Sequence, residues 1–105
     1  MNWCAHIYAG KKAALHRHSI ISALKKGKPC PGVYVLTRAV DSDGILDIYH
    51  SAVILSGFYR DREITVIGIA MGRREAMEVA RLIVDDMYRK NGDFDIDAYC
   101  GIGHS

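Results

Sequence analysis

The sequence predicts a single α+β domain, a small antiparallel or mixed sheet with two to three helices packed mainly on one face. Three observations carry that expectation. The run EITVIGIA at 63–70 is almost wholly apolar, the mark of a central strand covered on both faces. Residues 11–26 and 73–89 repeat apolar side chains at helical spacing. Between them, the β-branched run VYVLTRAV at 33–40 leads into Asp41-Ser42-Asp43-Gly44, a strong turn signal. With 105 residues, half of them apolar and a quarter charged, residues 1–105 suit one domain around one core.

Taken in order, Trp3, Ala5 and Ile7 alternate with Cys4, His6 and Tyr8, which suggests a short strand at 3–8. Residues 11–26 read as one helix stopped by Gly27. Ala13, Ala14, Ile20, Ile21 and Leu24 share a face, and Arg17 projects from inside that apolar stripe. Pro29 and Pro31 hold the next loop extended. After the 33–40 strand and its turn, Ile45–His50 reads as a return strand or an extended entry. Ser51 is placed to N-cap a short helix through Tyr59, although Gly57 and the run Ala52–Leu55 also suit a strand. In the helix from Arg73 to about Arg89, Ala76, Val79, Ala80, Ile83, Val84 and Met87 form the inward arc. Arg74, Glu78, Arg81 and Asp85 lie outward as two i,i+4 pairs. Asn91-Gly92 is a left-handed cap, and FDIDAY at 94–99 alternates like an edge strand.

Charge is distributed unevenly. Residues 1–40 hold seven basic and no acidic residues, whereas residues 41–105 hold seven basic and twelve acidic ones. The formal balance is therefore +7 against −5, hidden in a total of +2. Lys25 and Lys26 sit at a helix C-terminus, where positive charge suits the dipole. Lys11 and Lys12 sit at an N-terminus, where it costs roughly 0.3–1 kcal/mol. Arg73 and Arg74 repeat the anomaly on the last helix. Basic residues gathered at a helix N-terminus surround a place that already attracts anions, so a phosphate or carboxylate site is one reading. The plainer reading is that these long side chains bend into solvent and meet Glu75, Glu78 or Asp61.

A nucleic-acid partner would be held through Lys11, Lys12, Arg17, Lys25, Lys26 and Lys28, with Trp3, Tyr8 or Tyr34 for stacking. No recognised binding motif accompanies them. An acidic protein surface is the competing partner. It includes a second copy of this chain, whose Asp93, Asp95 and Asp97 point to one side of a strand. A homodimer, through an edge strand or the apolar helix faces, is expected.

Metal and thiol chemistry form the alternative. Cys4, His6, Cys100 and His104 would complete a Cys2His2 zinc site if the termini met, but lone C-x-H and C-x3-H spacings are weak signals. His16 and His18 point about 200° apart on a helix and cannot share an ion. Cys30, between two prolines on a basic loop, has surroundings that favour a thiolate, with His50 or His18 as a candidate base. Nothing in the sequence brings these groups together. The expectation is therefore a non-enzyme without cofactor or metal. The start MNWCAHIYAG lacks the pattern of a secretory signal, and no apolar run approaches the roughly 20 residues of a bilayer span. A cytoplasmic protein with no membrane contact and reduced cysteines is expected.

The run LDIYHSAVIL…FYRDREITVIGIAMGRREAMEVARLIVDDMY…GDFDIDAY, within roughly 33–99, resembles small proteins of Gram-positive gut bacteria often carried on mobile or conjugative elements. That group has no assigned activity, so the resemblance transfers no site residue. It implies a bacterial accessory protein that modulates a larger machine.

Overall fold

The computed structural model describes residues 2–38, 46–56 and 64–91. The fold is α+β. Among the described residues, strands β1 (Asn2–Ala9), β2 (Val33–Arg38), β3 (Leu46–His50) and β4 (Thr65–Met71) form one mixed sheet in the order β1-β4-β2-β3. The helices are α1 (Lys11–Ala14), α2 (Arg17–Lys25), α3 (Ser51–Ile54) and α4 (Arg73–Asn91).

β4 occupies the centre, as its composition predicts. Residues 65–70 are all buried, and the strand pairs parallel with β1 and antiparallel with β2. Only a strand flanked on both edges and covered on both faces can be apolar at every position. β2 continues antiparallel into β3, from Tyr34 opposite His50 to Arg38 opposite Leu46. The connecting turn at 41–44 and the strand expected at 94–99 lie outside the described residues, as does the Gly92 cap.

The backbone of Gly68 lets α4 approach the sheet. A Cβ there would stand 3.2 Å from the Tyr8 carbonyl oxygen and 3.3 Å from Val79 Cγ1. Around this point α4 buries Ala76, Val79, Ile83 and Met87, with Ala80 and Val84 half-buried, which is the inward arc read from its periodicity. The Tyr8 hydroxyl donates to Asp86 Oδ2 at 2.9 Å and pins the middle of the helix to β1.

Two expectations change. Residues 11–26 are two helices, because the chain turns at Leu15 and His16. The Leu15 and His16 amides reach back three residues to the Lys12 and Ala13 carbonyls, and His16 leaves the helical region at φ −125°, ψ 28°. A straight helix would have kept Arg17 within the apolar stripe. The break frees Arg17 to reach solvent while Ala13, Ile20 and Leu24 remain buried. The second change concerns Ser51, which does not cap α3. His50 Nδ1 accepts from the Ala52 amide at 3.1 Å instead. Ser51 is the first helical residue, fully buried, and its Oγ accepts from the Cys30 amide at 3.0 Å and donates to the Cys30 carbonyl at 2.7 Å. Ser51→Ala would leave both groups without this partner and is expected to cost about 1–2 kcal/mol. A thermal melt checks this, and an unchanged midpoint would mean the 28–32 loop is not anchored there. Residues of the expected 51–60 helix beyond 56 lie outside the described residues.

Candidate anion-binding surface

The basic residues singled out by charge are all exposed. Lys11 and Lys12 lie on α1, Arg17 and Lys25 on α2, and Lys26 and Lys28 on the cap that follows. That cap is ordered by backbone hydrogen bonds. The Lys28 amide donates to the Ala23 carbonyl at 2.8 Å and the Gly27 amide to Leu24 at 3.0 Å, with Gly27 at φ 77°. This is a Schellman closure, which needs glycine at the left-handed position and fixes Lys26 and Lys28 at the end of α2. Lys25 Nζ stands 5.3 Å from the centre of the Trp3 ring, a cation–π contact that joins α2 to β1.

Among the described residues the one salt bridge joins Arg89 Nε to Asp85 Oδ2 at 3.2 Å. The six basic residues of α1, α2 and their cap therefore enter no described ion pair. The i,i+4 pairs expected on α4, Arg74 with Glu78 and Arg81 with Asp85, do not form. Asp85 turns to Arg89 instead, so Glu78 faces solvent between two arginines. Arg73 and Arg74 are exposed on the first turn of α4.

The lysines at the N-terminus of α1 have an anion nearby, and it belongs to the chain. Glu75 Oε1 accepts from the Lys12 amide at 2.8 Å, and Oε2 accepts from Ala13 at 3.3 Å and from Met71 at 2.6 Å. The residue before α1 is Gly10, which has no capping side chain. Glu75 supplies the missing cap from a site 63 residues further along the chain. The Glu75 side chain lies against Gly10 so closely that a Cβ there would overlap it. Burial alone would raise the carboxyl pKa. Donation from Met71, Lys12 and Ala13, together with the Lys12 charge, outweighs it and holds Glu75 below its ordinary value. An external anion at this helix end would have to displace that carboxylate. The exposed ammonium groups, not the backbone amides, are what an external anion can reach.

The aromatic residues considered for stacking are engaged within the fold. Trp3 lies under Lys25, Tyr8 bonds Asp86, and Tyr34 packs edge-on against His50 with ring centres 5.3 Å apart. Leu15 is 79% exposed at the turn between α1 and α2, beside Lys12, His16 and Arg17. Its exposure follows from the helix break, which periodicity did not reveal.

The thiol and metal groupings are not assembled among the described residues. Cys30 is free, its Sγ lies 3.9 Å from the Lys28 carbonyl oxygen, and the candidate base His50 uses Nδ1 to cap α3. His18 is exposed on α2. Cys4 is 5% exposed and disulfide-bonded, so the expectation of reduced cysteines holds for Cys30 and fails for Cys4. A disulfide sulfur is not a thiolate ligand. His6 is exposed whereas Cys4 is buried, because β1 changes register between Trp3 and Tyr8 and the simple alternation is lost. Cys100 and His104 lie outside the described residues. No cluster of three metal-ligating side chains occurs among the described residues, and no described helix is long and apolar enough to cross a membrane.

One further feature was not foreseen. An open groove of about 1090 Å³ runs along α4 beside Leu46 of β3, with Met77, Val84 and Tyr88 in its apolar wall and Arg74, Glu78, Arg81 and Asp85 among its polar residues. No family model, curated protein or solved structure matches the chain.

Proposed function

We propose that this protein is a non-enzymatic interaction module whose basic α1–α2 surface docks on an anionic partner, with nucleic acid the first choice and an acidic protein surface the second. Arg73, on the first turn of α4, adds a secondary contact, and Arg74 beside it is available to the same partner. One observation carries the reading. Lys11, Lys12, Arg17, Lys25, Lys26 and Lys28 are all exposed and none enters a salt bridge among the described residues, with Lys12 alone acting on a described acid, Glu75. A cluster of unneutralised cations on one segment repels itself, and a polyanion relieves that repulsion by releasing counterions. The resemblance to proteins of mobile elements fits an accessory that modulates a larger machine.

The test is the salt dependence of binding to short single- and double-stranded oligonucleotides. Six phosphate contacts predict a slope of about −5 in log affinity against log salt for duplex. Lys26→Glu with Lys28→Glu should flatten the slope by about 2 without changing the melting temperature. Lys12 is left intact because its charge bears on Glu75. No binding at the lowest salt would sink the nucleic-acid reading and leave an acidic protein surface as the partner.

A further inference from the structure

A second surface lies on α4. Of the five large apolar side chains exposed among the described residues, three lie on this helix: Met77 at 59%, Leu82 at 50% and Tyr88 at 57%. They flank an outward stripe of alternating charge, Arg74, Glu78, Arg81 and Asp85, opposite the buried arc of Ala76, Val79, Ile83 and Met87. Arg74, Glu78 and Arg81 enter no described ion pair.

The order of these charges matters. Arg74 and Asp85 share a midpoint with Glu78 and Arg81, between Val79 and Ala80. Around the helix axis Arg74 and Asp85 are about 20° apart, and Glu78 and Arg81 about 60°. A two-fold axis perpendicular to the helix at that midpoint lays two copies of α4 antiparallel. It then sets Arg74 against Asp85 of the second copy and Glu78 against Arg81 of the second copy. Symmetry repeats each contact, so four opposite-sign pairs form at matched heights along the axis, while Glu78 and Arg81 each stand about 4.5 Å axially from their own symmetry copies. Neutral or like-charged stripes lack this property.

We infer that the exposed face of α4 is a self-recognition surface and that its occupant is a second copy of this chain in antiparallel, two-fold contact. The charge stripe fixes register and orientation, and the flanking Met77, Tyr88 and Leu82 supply apolar area. This surface is separate from the α1–α2 cations, so it stands or falls independently of the partner proposed above. It draws Arg74 toward the second copy and leaves Arg73 for the anion.

Sedimentation velocity of the full chain, over about 1–200 µM at low salt, tests the pairing. The unaltered protein is expected to dimerise. Glu78→Arg sets arginine against Arg81 of the second copy twice and should raise the dissociation constant at least about tenfold. Adding Arg81→Glu to Glu78→Arg exchanges the two signs, restores complementarity and should recover the dimer. Both positions are exposed, and circular dichroism verifies that each variant is folded. Three results would overturn the inference: a monomer across the whole range, a dimer indifferent to Glu78→Arg, or an exchanged variant that stays monomeric.

Discussion

Glu75→Gln is expected to lower the unfolding free energy by about 2 kcal/mol at neutral pH, a fall of roughly 10 °C in melting temperature, and by less as pH falls below the carboxyl's ordinary range. The carboxylate accepts three backbone amides from two separate parts of the chain, and an amide side chain offers only one oxygen and adds an N–H pair that faces other donors. The pH dependence follows from the direction of the pKa shift. Glu75 is held below its ordinary value of 4.5 in the folded state, so the unfolded chain takes up the proton first as pH falls. The stabilisation is therefore complete above about 4.5 and fades as pH drops through the folded-state value. Denaturant melts of both proteins between pH 3 and pH 7 measure the gap. A gap of constant size would show that the negative charge is not what holds α1 to α4.

Gly68→Val is expected to be at least as damaging, about 3 kcal/mol, through sterics alone. Backbone and side-chain atoms of Tyr8 and the Val79 methyl already stand within 3.3 Å of where a Cβ would sit. Alanine would require its neighbours to give by a few tenths of an ångström. The two additional methyl groups of valine have no space, so α4 and β1 must separate from β4 at the centre of the core. The Tyr8–Asp86 hydrogen bond, which spans the same junction, should be lost with them. A melting temperature within a few degrees of the parent would contradict this account of how α4 seats on the sheet.

These two residues also show where the sequence was legible and where it was not. The central strand, the 33–50 strand pair and the buried arc of α4 follow from patterns confined to a few turns or a single run. Their physical cause, one-sided or two-sided burial, repeats at short range. The split of 11–26 into α1 and α2 was not evident because the apolar spacing was compatible with one straight helix. The conflict was visible only in Arg17, and its resolution depends on what packs against Ala13 and Leu24. Glu75 looked like an ordinary first-turn acid. Its role as the cap of a helix 63 residues earlier is a consequence of β1 lying beside β4, a neighbour relation that local pattern does not encode. Ser51 is a similar case, with a hydroxyl suited to capping its own helix but used by Cys30. Of the proposed surface, the charges were legible, and their side chains are exposed. The self-complementary order on α4 was equally present in the sequence, but became meaningful once Arg74, Glu78 and Arg81 were found without ion partners in the described structure.

The position of β4 has a consequence for synthesis. β1 and β2 do not touch each other; each pairs with β4, and Asn2 aligns with Thr65. No sheet centred on β4 can close until residue 71 has emerged from the ribosome, several seconds after the first strand at about 5–20 residues per second. The lysines of residues 11–28 precede every acidic residue of the sequence, the first of which is Asp41. The basic segment is thus made well before the strand that organises it. The carboxylate that caps α1 comes later still, with Glu75.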